Sequence, residues 1–417
     1  MQGFGLRHLL FVVISTLLGA MQPAWSAEPV RIAFIAPLSG PFATSGEAAL
    51  HQFQYAVDNL VNAEGGVLGD RPLEIVPLDN QISPKESLIQ LKRAIGEGIR
   101  FIAQGSSSAV ANALTEAIEK HNRRNPDQRV LFLNYAAVDP ALTNDKCNFW
   151  HFRFDAHADI KMDALTDVIA ENDNVKRVYI IGQDYSFGKA VADAAVRMLG
   201  EKRPDIEIVG NELHPIGKVK DFSPYASKIK ASDADAVITG NWGADMVGLG
   251  KAIIDVGVTA PIYTYYAAWD GITATFGENG EGVIRLVHEG RRNPPDPRFL
   301  DIWQGFKSVY PESDVNQARI FSTVEILARA IDAAGNTDPV DVAYALEGME
   351  HDSLLGGRLY MRPDDHQMIQ DLHVSVHTKN DIVVDEDNSG YGLLAERTVE
   401  MAGMKSPTTC EMQRPQR

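Results

Sequence analysis

The chain has 417 residues, a formal net charge of −17, 45% hydrophobic residues and only two cysteines. That length suffices for two domains with cores of their own. The dispersed acidic balance argues against nucleic acid or an anionic membrane surface as a partner and suits a solvated exterior.

The first 26 residues read as an export signal. Arg7 and His8 make a short basic start, residues 9–20 are an apolar run too short to span a bilayer comfortably, and Ala24-Trp25-Ser26 offers small residues where a signal peptidase reads. Cleavage is expected after Ser26, because cleavage after Ala27 would place bulky Trp25 at the upstream recognition position. No cysteine stands at the junction, so no lipid anchor is expected. An exported chain meets oxidising conditions, where Cys147 and Cys410 are expected to form one disulfide that pins the tail at 401–417.

From residue 30 onward, strand-like and helix-like segments alternate. Strands are expected over 31–38, 73–78, 101–104 and 129–135, with helices over 47–62, 87–97 and 109–121 between them. The strands are near-continuously apolar, the pattern of a parallel sheet covered on both faces. The alternation restarts after a candidate crossover at 148–154. Strands over 177–184, 206–209, 236–241 and 261–266 alternate with helices over 186–199, 224–231 and 244–256. The last third departs from this pattern: helices are expected over 297–310, 318–334 and 340–350, followed by an apolar alternation at 372–376. Three helices cannot make a core alone, so they are expected to return and cover the first sheet.

The stretch FIAQGSSSAVANALTEAIEKH (101–121) joins a strand, a tight turn and a helix start carrying three hydroxyls. Such serines serve as a nucleophile, a phosphate cradle, a carboxylate seat or helix caps. Enzyme readings fail on spacing. No Lys follows the serines in a Ser-x-x-Lys pattern, no Gly-x-Ser-x-Gly surrounds them, and no phosphate loop is present. GGVLGD (65–70) precedes a strand and reads as a turn. His373 and His377 share a strand face but stand roughly 13 Å apart, too far for one metal. Asp364-Asp365 follows Pro363 in a turn-like stretch. No catalytic residue, metal site or cofactor is expected. Ligands of open α/β sheets collect at the carboxyl ends of strands. There, a helix N-terminus with the hydroxyls of Ser106 and Ser107 suits a small monoanion such as a carboxylate. Capping alone accounts for the serines equally well.

Several stretches taken together resemble the periplasmic leucine/isoleucine/valine-binding proteins. These are IAPLSGPFATSGEAALHQFQYAVD (35–58), NAEGGVLGDRPLEIVPLDN (62–80), IAQGSSS (102–108), NYAAVDPALT (134–143) and GQDYSFGKA (182–190), in the family's order. The resemblance implies an α/β fold of the type I periplasmic binding protein: two Rossmann-like lobes joined by three crossovers. Lobe 1 would comprise 28–150 and about 287–363, and lobe 2 would comprise 151–286 and about 364–400. It further implies a monomeric periplasmic receptor that closes on a solute and delivers it to an inner-membrane ABC permease. The alternative is a ligand sensor for a membrane-bound regulator on the same fold.

By the same resemblance Ser106 seats a ligand carboxylate, and Ala136, Ala137 and Val138 form a second ligand turn. Phe187 and Trp242 are aromatic contacts from lobe 2, and Ser45 stands at the cleft mouth. Tyr185, Tyr266 and Trp269 are further candidates for an apolar wall. The expected ligand is a hydrophobic amino acid or a related small carboxylate, aromatic ones included. The chain departs from the family twice. Val138 stands where a threonine is usual, and YYAAWDG (265–271) lacks the family's acidic partner for a ligand ammonium unless Asp270 supplies it. Asp270 reads alternatively as a cap before Gly271.

Overall fold

The computed structural model describes residues 27–289, 297–382, 384–404 and 406–416. The expected export signal lies outside them. The first unit is a five-stranded parallel sheet in the order β2-β1-β3-β4-β5, formed by β1 (Val30–Ala36), β2 (Leu73–Asp79), β3 (Phe101–Gln104), β4 (Leu131–Asn134) and β5 (His151–Arg153). Helices α1 (Ala43–Ala56), α2 (Pro84–Gly96) and α3 (Ser108–Arg124) connect the strands. β1, β3 and β4 are buried on both faces, as their unbroken apolar runs require. α2 starts where Ser83 accepts from the Glu86 N–H and Pro84 fills the first helical position, two independent start signals.

The second unit repeats the plan with α4 (Ala158–Ala170), β6 (Arg177–Gln183), α5 (Ser186–Lys202), β7 (Glu207–His214), α6 (Ser223–Ala231), β8 (Ala236–Thr239), α7 (Gly243–Val256), β9 (Ile262–Thr264), α8 (Ile272–Phe276) and β10 (Ile284–His288). α7 stops at Gly257, whose φ of 73° is the left-handed conformation a helix C-terminus favours. The chain then returns to the first unit. α9 (Pro297–Val309), α10 (Arg319–Ala334) and α11 (Pro339–Leu346) place Phe299, Phe306, Ile320, Phe321, Leu327 and Leu346 in the lobe 1 core. A small antiparallel sheet of β11 (Glu350–Asp352), β12 (Arg358–Met361) and β13 (Met368–Ile369) joins the same core. Finally β14 (Leu372–Thr378) and β15 (Gly392–Val399) extend the second sheet to seven strands, in the order β15-β14-β10-β9-β8-β6-β7.

The lobe boundaries therefore differ from those expected. Residues 151–153 are not a crossover. They form the edge strand of the first sheet, pairing with Phe132, Leu133 and Asn134. The later boundary lies near 370 rather than 363, because β13 pairs with β12 and Met368 is buried in the lobe 1 core. The chain thus passes between lobes at 154–157, between β10 and α9, and at 370–371.

Buried charges hold these passages together. Arg153 donates to Gln367 Oε1 at 2.7 Å and to the Asp139 carbonyl at 2.6 Å, and Gln367 Nε2 donates to the Asp155 carbonyl at 2.8 Å. Burial lowers Arg153 to about 10, against the opposing pull of Asp365, Asp139 and Asp155. A second connection is covalent. The Cys147–Cys410 disulfide ties the tail that leaves β15 in lobe 2 back onto lobe 1.

Candidate functional site

The loops at the carboxyl ends of both sheets face each other across a tight cavity of about 10 Å³. Ser106, Ser107, Ala136, Ala137, Val138, Tyr185, Phe187, Trp242, Tyr266 and Trp269 all line it, together with Gly105 and Ser108. Two of the expected residues do not. Ser45 is buried at the junction of the lobes, its hydroxyl facing Gly243. Asp270 belongs to a separate cluster described below.

On the lobe 1 side, the turn after β3 depends on Gly105. A side chain there would place its Cβ 2.6 Å from the Ala136 nitrogen and 2.8 Å from the Tyr135 ring, so only glycine lets the two cavity-lining turns approach. The Ser106 hydroxyl lies 3.1 Å from the Tyr135 hydroxyl. Burial pushes Tyr135 up to about 12, with the Ser106 hydrogen bond and Arg319 acting the other way. The Gln104 amide is assigned with its oxygen toward the N–H groups of Ser106 and Ser107, at 3.1 and 3.2 Å. The second turn is shaped by Asn134, whose Oδ1 accepts from the N–H groups of Ala136 (3.2 Å) and Ala137 (2.7 Å).

The expectation that Ser106 and Ser107 merely cap α3 does not hold for Ser107. It is the residue that precedes the helix, and its side chain makes no capping hydrogen bond. The same is true of Tyr185 before α5 and Trp242 before α7. All three residues line the cavity. Three helix N-termini, whose first N–H groups lack partners within the helix and which carry a positive dipole end, therefore open onto one space.

The remaining wall is aromatic. Phe187 stands 5.6 Å from Tyr265 and 5.9 Å from Tyr266, Tyr266 stands 4.7 Å from Trp269, and Trp269 meets Trp242 at 5.6 Å between ring centroids. Phe42 of lobe 1 covers Trp242 at 4.4 Å. Trp242 Nε1 donates to the Tyr185 hydroxyl at 2.9 Å, which leaves the Tyr185 proton to serve an acceptor in the cavity. Burial raises the pKa of Tyr185 and Tyr266 far enough to keep both phenols neutral donors.

Behind Tyr266 and Trp269 lies a second tight space of about 10 Å³, lined in part by Lys161, His288, Glu289 and Arg319. Here Lys161 pairs with Asp155 at 2.7 Å, Arg319 pairs with Glu289 at 2.7 Å and Arg319 reaches Asp155 at 3.5 Å, all at least nine-tenths buried. Burial lowers Lys161, only partly offset by Asp155. For Arg319 the balance reverses: Asp155 and Glu289 overcome the effect of burial and hold it above its ordinary value.

Asp270 sits beside Asp314 of lobe 1 and Asp387 of the β14–β15 loop, their carboxyl oxygens within 4.8 Å of one another. Asp270 Oδ1 accepts from the Asp314 N–H at 3.3 Å, and Asp314 Oδ2 accepts from the Asp387 N–H at 2.8 Å. Burial, then repulsion from Asp314 and Asp387, pushes Asp270 up to about 7. The cap of the 271–274 turn is Asp387, which accepts from the N–H groups of Gly271 and Ala274 at 2.8 and 3.0 Å.

Sequence reasoning did not single out Gly105, Ser108, Tyr135, Asn134 or Phe42. Of these, only the Asn in NYAAVD carried a local signal, since asparagine two and three residues before a tight turn is a common hydrogen-bonding partner for it.

The sequence pattern of the periplasmic binding protein family matches residues 29–380. The chain is 33% identical over 402 residues to Leu/Ile/Val-binding protein homolog 4 of Brucella abortus, covering 94% of each. Among solved structures, the closed conformation of the leucine-, isoleucine-, valine-, threonine-, and alanine-binding protein from Brucella ovis matches with a TM-score of 0.81 at 31% identity, covering 93% of this chain and all of that one. The solute binding protein of an ABC transporter from Rhodopseudomonas palustris HaA2, in complex with p-hydroxybenzoic acid, matches with a TM-score of 0.77 at 19% identity, covering 89% and 97%. With the two-lobed fold and the interlobe cavity, these matches make the chain a member of the periplasmic binding protein family, whose relatives are solute-binding proteins and not enzymes.

Proposed function

We propose that the protein is the periplasmic receptor of an ABC importer and binds a small hydrophobic solute bearing one carboxylate in the interlobe cavity. The single observation that carries this reading is the convergence of three helix N-termini, none capped by the side chain of its preceding residue (Ser107, Tyr185 and Trp242), on a cavity with aromatic walls and, among the described residues, no lining carboxylate. An anion gains from all three dipole ends and from the Tyr185 proton. The apolar remainder of the solute gains from displacing water off Phe187, Tyr266 and Trp269.

The names of the Brucella relatives point to amino acids, which share the carboxylate. Import is the role implied by ABC transporter relatives, and it requires an inner-membrane permease as partner. The test is calorimetry of the purified protein against a panel of short aliphatic acids, benzoates and amino acids. Saturable binding of a carboxylate supports the reading, and silence across the panel sinks it. Loss of uptake of that solute in a strain lacking the gene would establish import rather than sensing.

A further inference from the structure

We infer that Tyr266 makes the cavity selective for carboxylates without an amine, by competing for a main-chain acceptor that an ammonium at the 136–138 turn would use. The inference rests on the carboxylate reading above and narrows it.

An α-ammonium carries three donors and a charge, and burying it without acceptors is heavily penalised. The cavity offers donors instead. The Tyr185 hydroxyl already accepts from Trp242, and three helix starts present N–H groups. The three carbonyls of the turn at 136–138 are all engaged. Ala136 accepts from the Tyr266 hydroxyl at 3.4 Å, Ala137 accepts from Asn134 Nδ2 at 2.8 Å, and Val138 accepts from the Ala158 N–H at 2.9 Å. Of these three donors, only Tyr266 lines the cavity together with the turn it bonds.

The carboxylates around the cavity are engaged elsewhere: Asp139 accepts from Asn112 Nδ2 and the Ala141 N–H, Asp245 accepts from Gln183 Nε2 and the Gly217 N–H, and Asp155 pairs with Lys161. Glu289 lies behind the Tyr266 and Trp269 rings and is paired with Arg319. Asp270, the expected acceptor, is committed to the Asp314 main chain and does not line the cavity. Lys161 Nζ sits 4.9 Å from the Tyr266 ring centroid on the far side and adds a cation where an ammonium would require an anion.

The experiment compares matched pairs that differ only by the amine: isocaproate with L-leucine and hydrocinnamate with L-phenylalanine. Affinities are measured by calorimetry on the wild type, Tyr266→Phe and Tyr266→Leu. On the wild type, the acid of at least one pair is expected to bind about 100-fold or more tightly than its amino acid, the scale on which a buried unpaired polar group discriminates. In Tyr266→Phe the Ala136 carbonyl loses its donor, and that ratio is expected to fall by roughly tenfold. Tyr266→Leu should lower the ratio in the same direction while testing whether the ring matters.

Equal binding of acid and amino acid by the wild type would overturn the inference, and this result needs no variant to fold. A ratio left unchanged by both substitutions would overturn the role of Tyr266 while leaving the selectivity. If the wild type binds neither member of either pair, nor any other carboxylate, the reading on which the inference rests fails first and the inference falls with it.

Discussion

The Ser106 hydroxyl stands 3.1 Å from the Tyr135 hydroxyl, and the Tyr135 ring packs against both Phe34 and Phe53 in the lobe 1 core. The serine proposed to meet the ligand carboxylate is therefore aimed by a phenol that the core holds still. Ser106→Ala is expected to weaken binding of the preferred carboxylate by about 1.5–3 kcal/mol, the range for a hydrogen bond to a charged group. Tyr135→Phe keeps the packing and should cost about 0.5–1.5 kcal/mol of affinity. Calorimetry on both variants checks this, and unchanged affinity in Ser106→Ala would exclude it from the carboxylate seat.

The disulfide between Cys147 and Cys410 spans 263 residues of chain. A loop that long gives an entropic stabilisation of up to about 5 kcal/mol, with measured losses for native bridges typically about 2–5 kcal/mol. The tail has other anchors: Arg414 pairs with Glu347, Thr408 donates to the Thr143 carbonyl at 2.8 Å and the Tyr344 hydroxyl donates to the Pro415 carbonyl at 2.7 Å. Replacing both cysteines by serine should lower the unfolding free energy measured in urea by an amount in that range while leaving the far-ultraviolet circular dichroism unchanged.

Asp270 supplies a pH dependence of stability. Its folded-state pKa is raised from an ordinary 3.8 to about 7, through burial and then the charges of Asp314 and Asp387. The groups facing it are those two carboxylates and Asn316, with Lys307 Nζ 3.1 Å from Asp314 on the far side. From pH 3.8 to about 7 the folded state holds a proton that the unfolded chain has released, so this contribution to stability falls as pH rises through that window. Three units correspond to at most about 4 kcal/mol, and relaxation of the lobes will reduce it. Asp270→Asn should thus melt close to the wild type near the acidic end of the window and above it at about pH 8. Parallel melting curves at both ends would show that Asp270 does not carry a shifted proton.

Arg319 holds two buried carboxylates and the Tyr135 carbonyl, to which it donates at 2.6 Å. Arg319→Leu leaves Asp155 with Lys161 alone and deprives Glu289 of its cation. The expected cost is about 3–5 kcal/mol in stability, as for other broken buried pairs. Chemical denaturation measures it, and a loss below about 1 kcal/mol, the level of an exposed pair, would mean that water reaches the network.

The alternation of apolar strands with helices, the returning helices of the last third and the order of the family motifs were all legible in the sequence, because period and capping are local properties. Ser83-Pro84-Lys85-Glu86 announces its helix without any tertiary help. The place of Ser106 at the carboxyl end of a strand was legible too, whereas its grouping with Ala136, Phe187 and Trp242 came from the family resemblance. The edge strand at 151–153 was misread because three residues have no period to read, and only pairing with β4 makes them a strand.

The place of Asp270 was beyond the sequence for a different reason. Its spacing from Tyr266 fits a cavity residue, but its carboxyl group is held by the main-chain N–H of Asp314, 44 positions along the chain, despite the repulsion of the Asp314 and Asp387 carboxylates. The same holds for the Tyr266 hydroxyl on the Ala136 carbonyl, a bond between residues 130 apart. Local patterns determine which elements form and which loops share an end of a sheet. Which donor meets which acceptor inside the cleft is decided only when two lobes, each folded on its own core, come into contact.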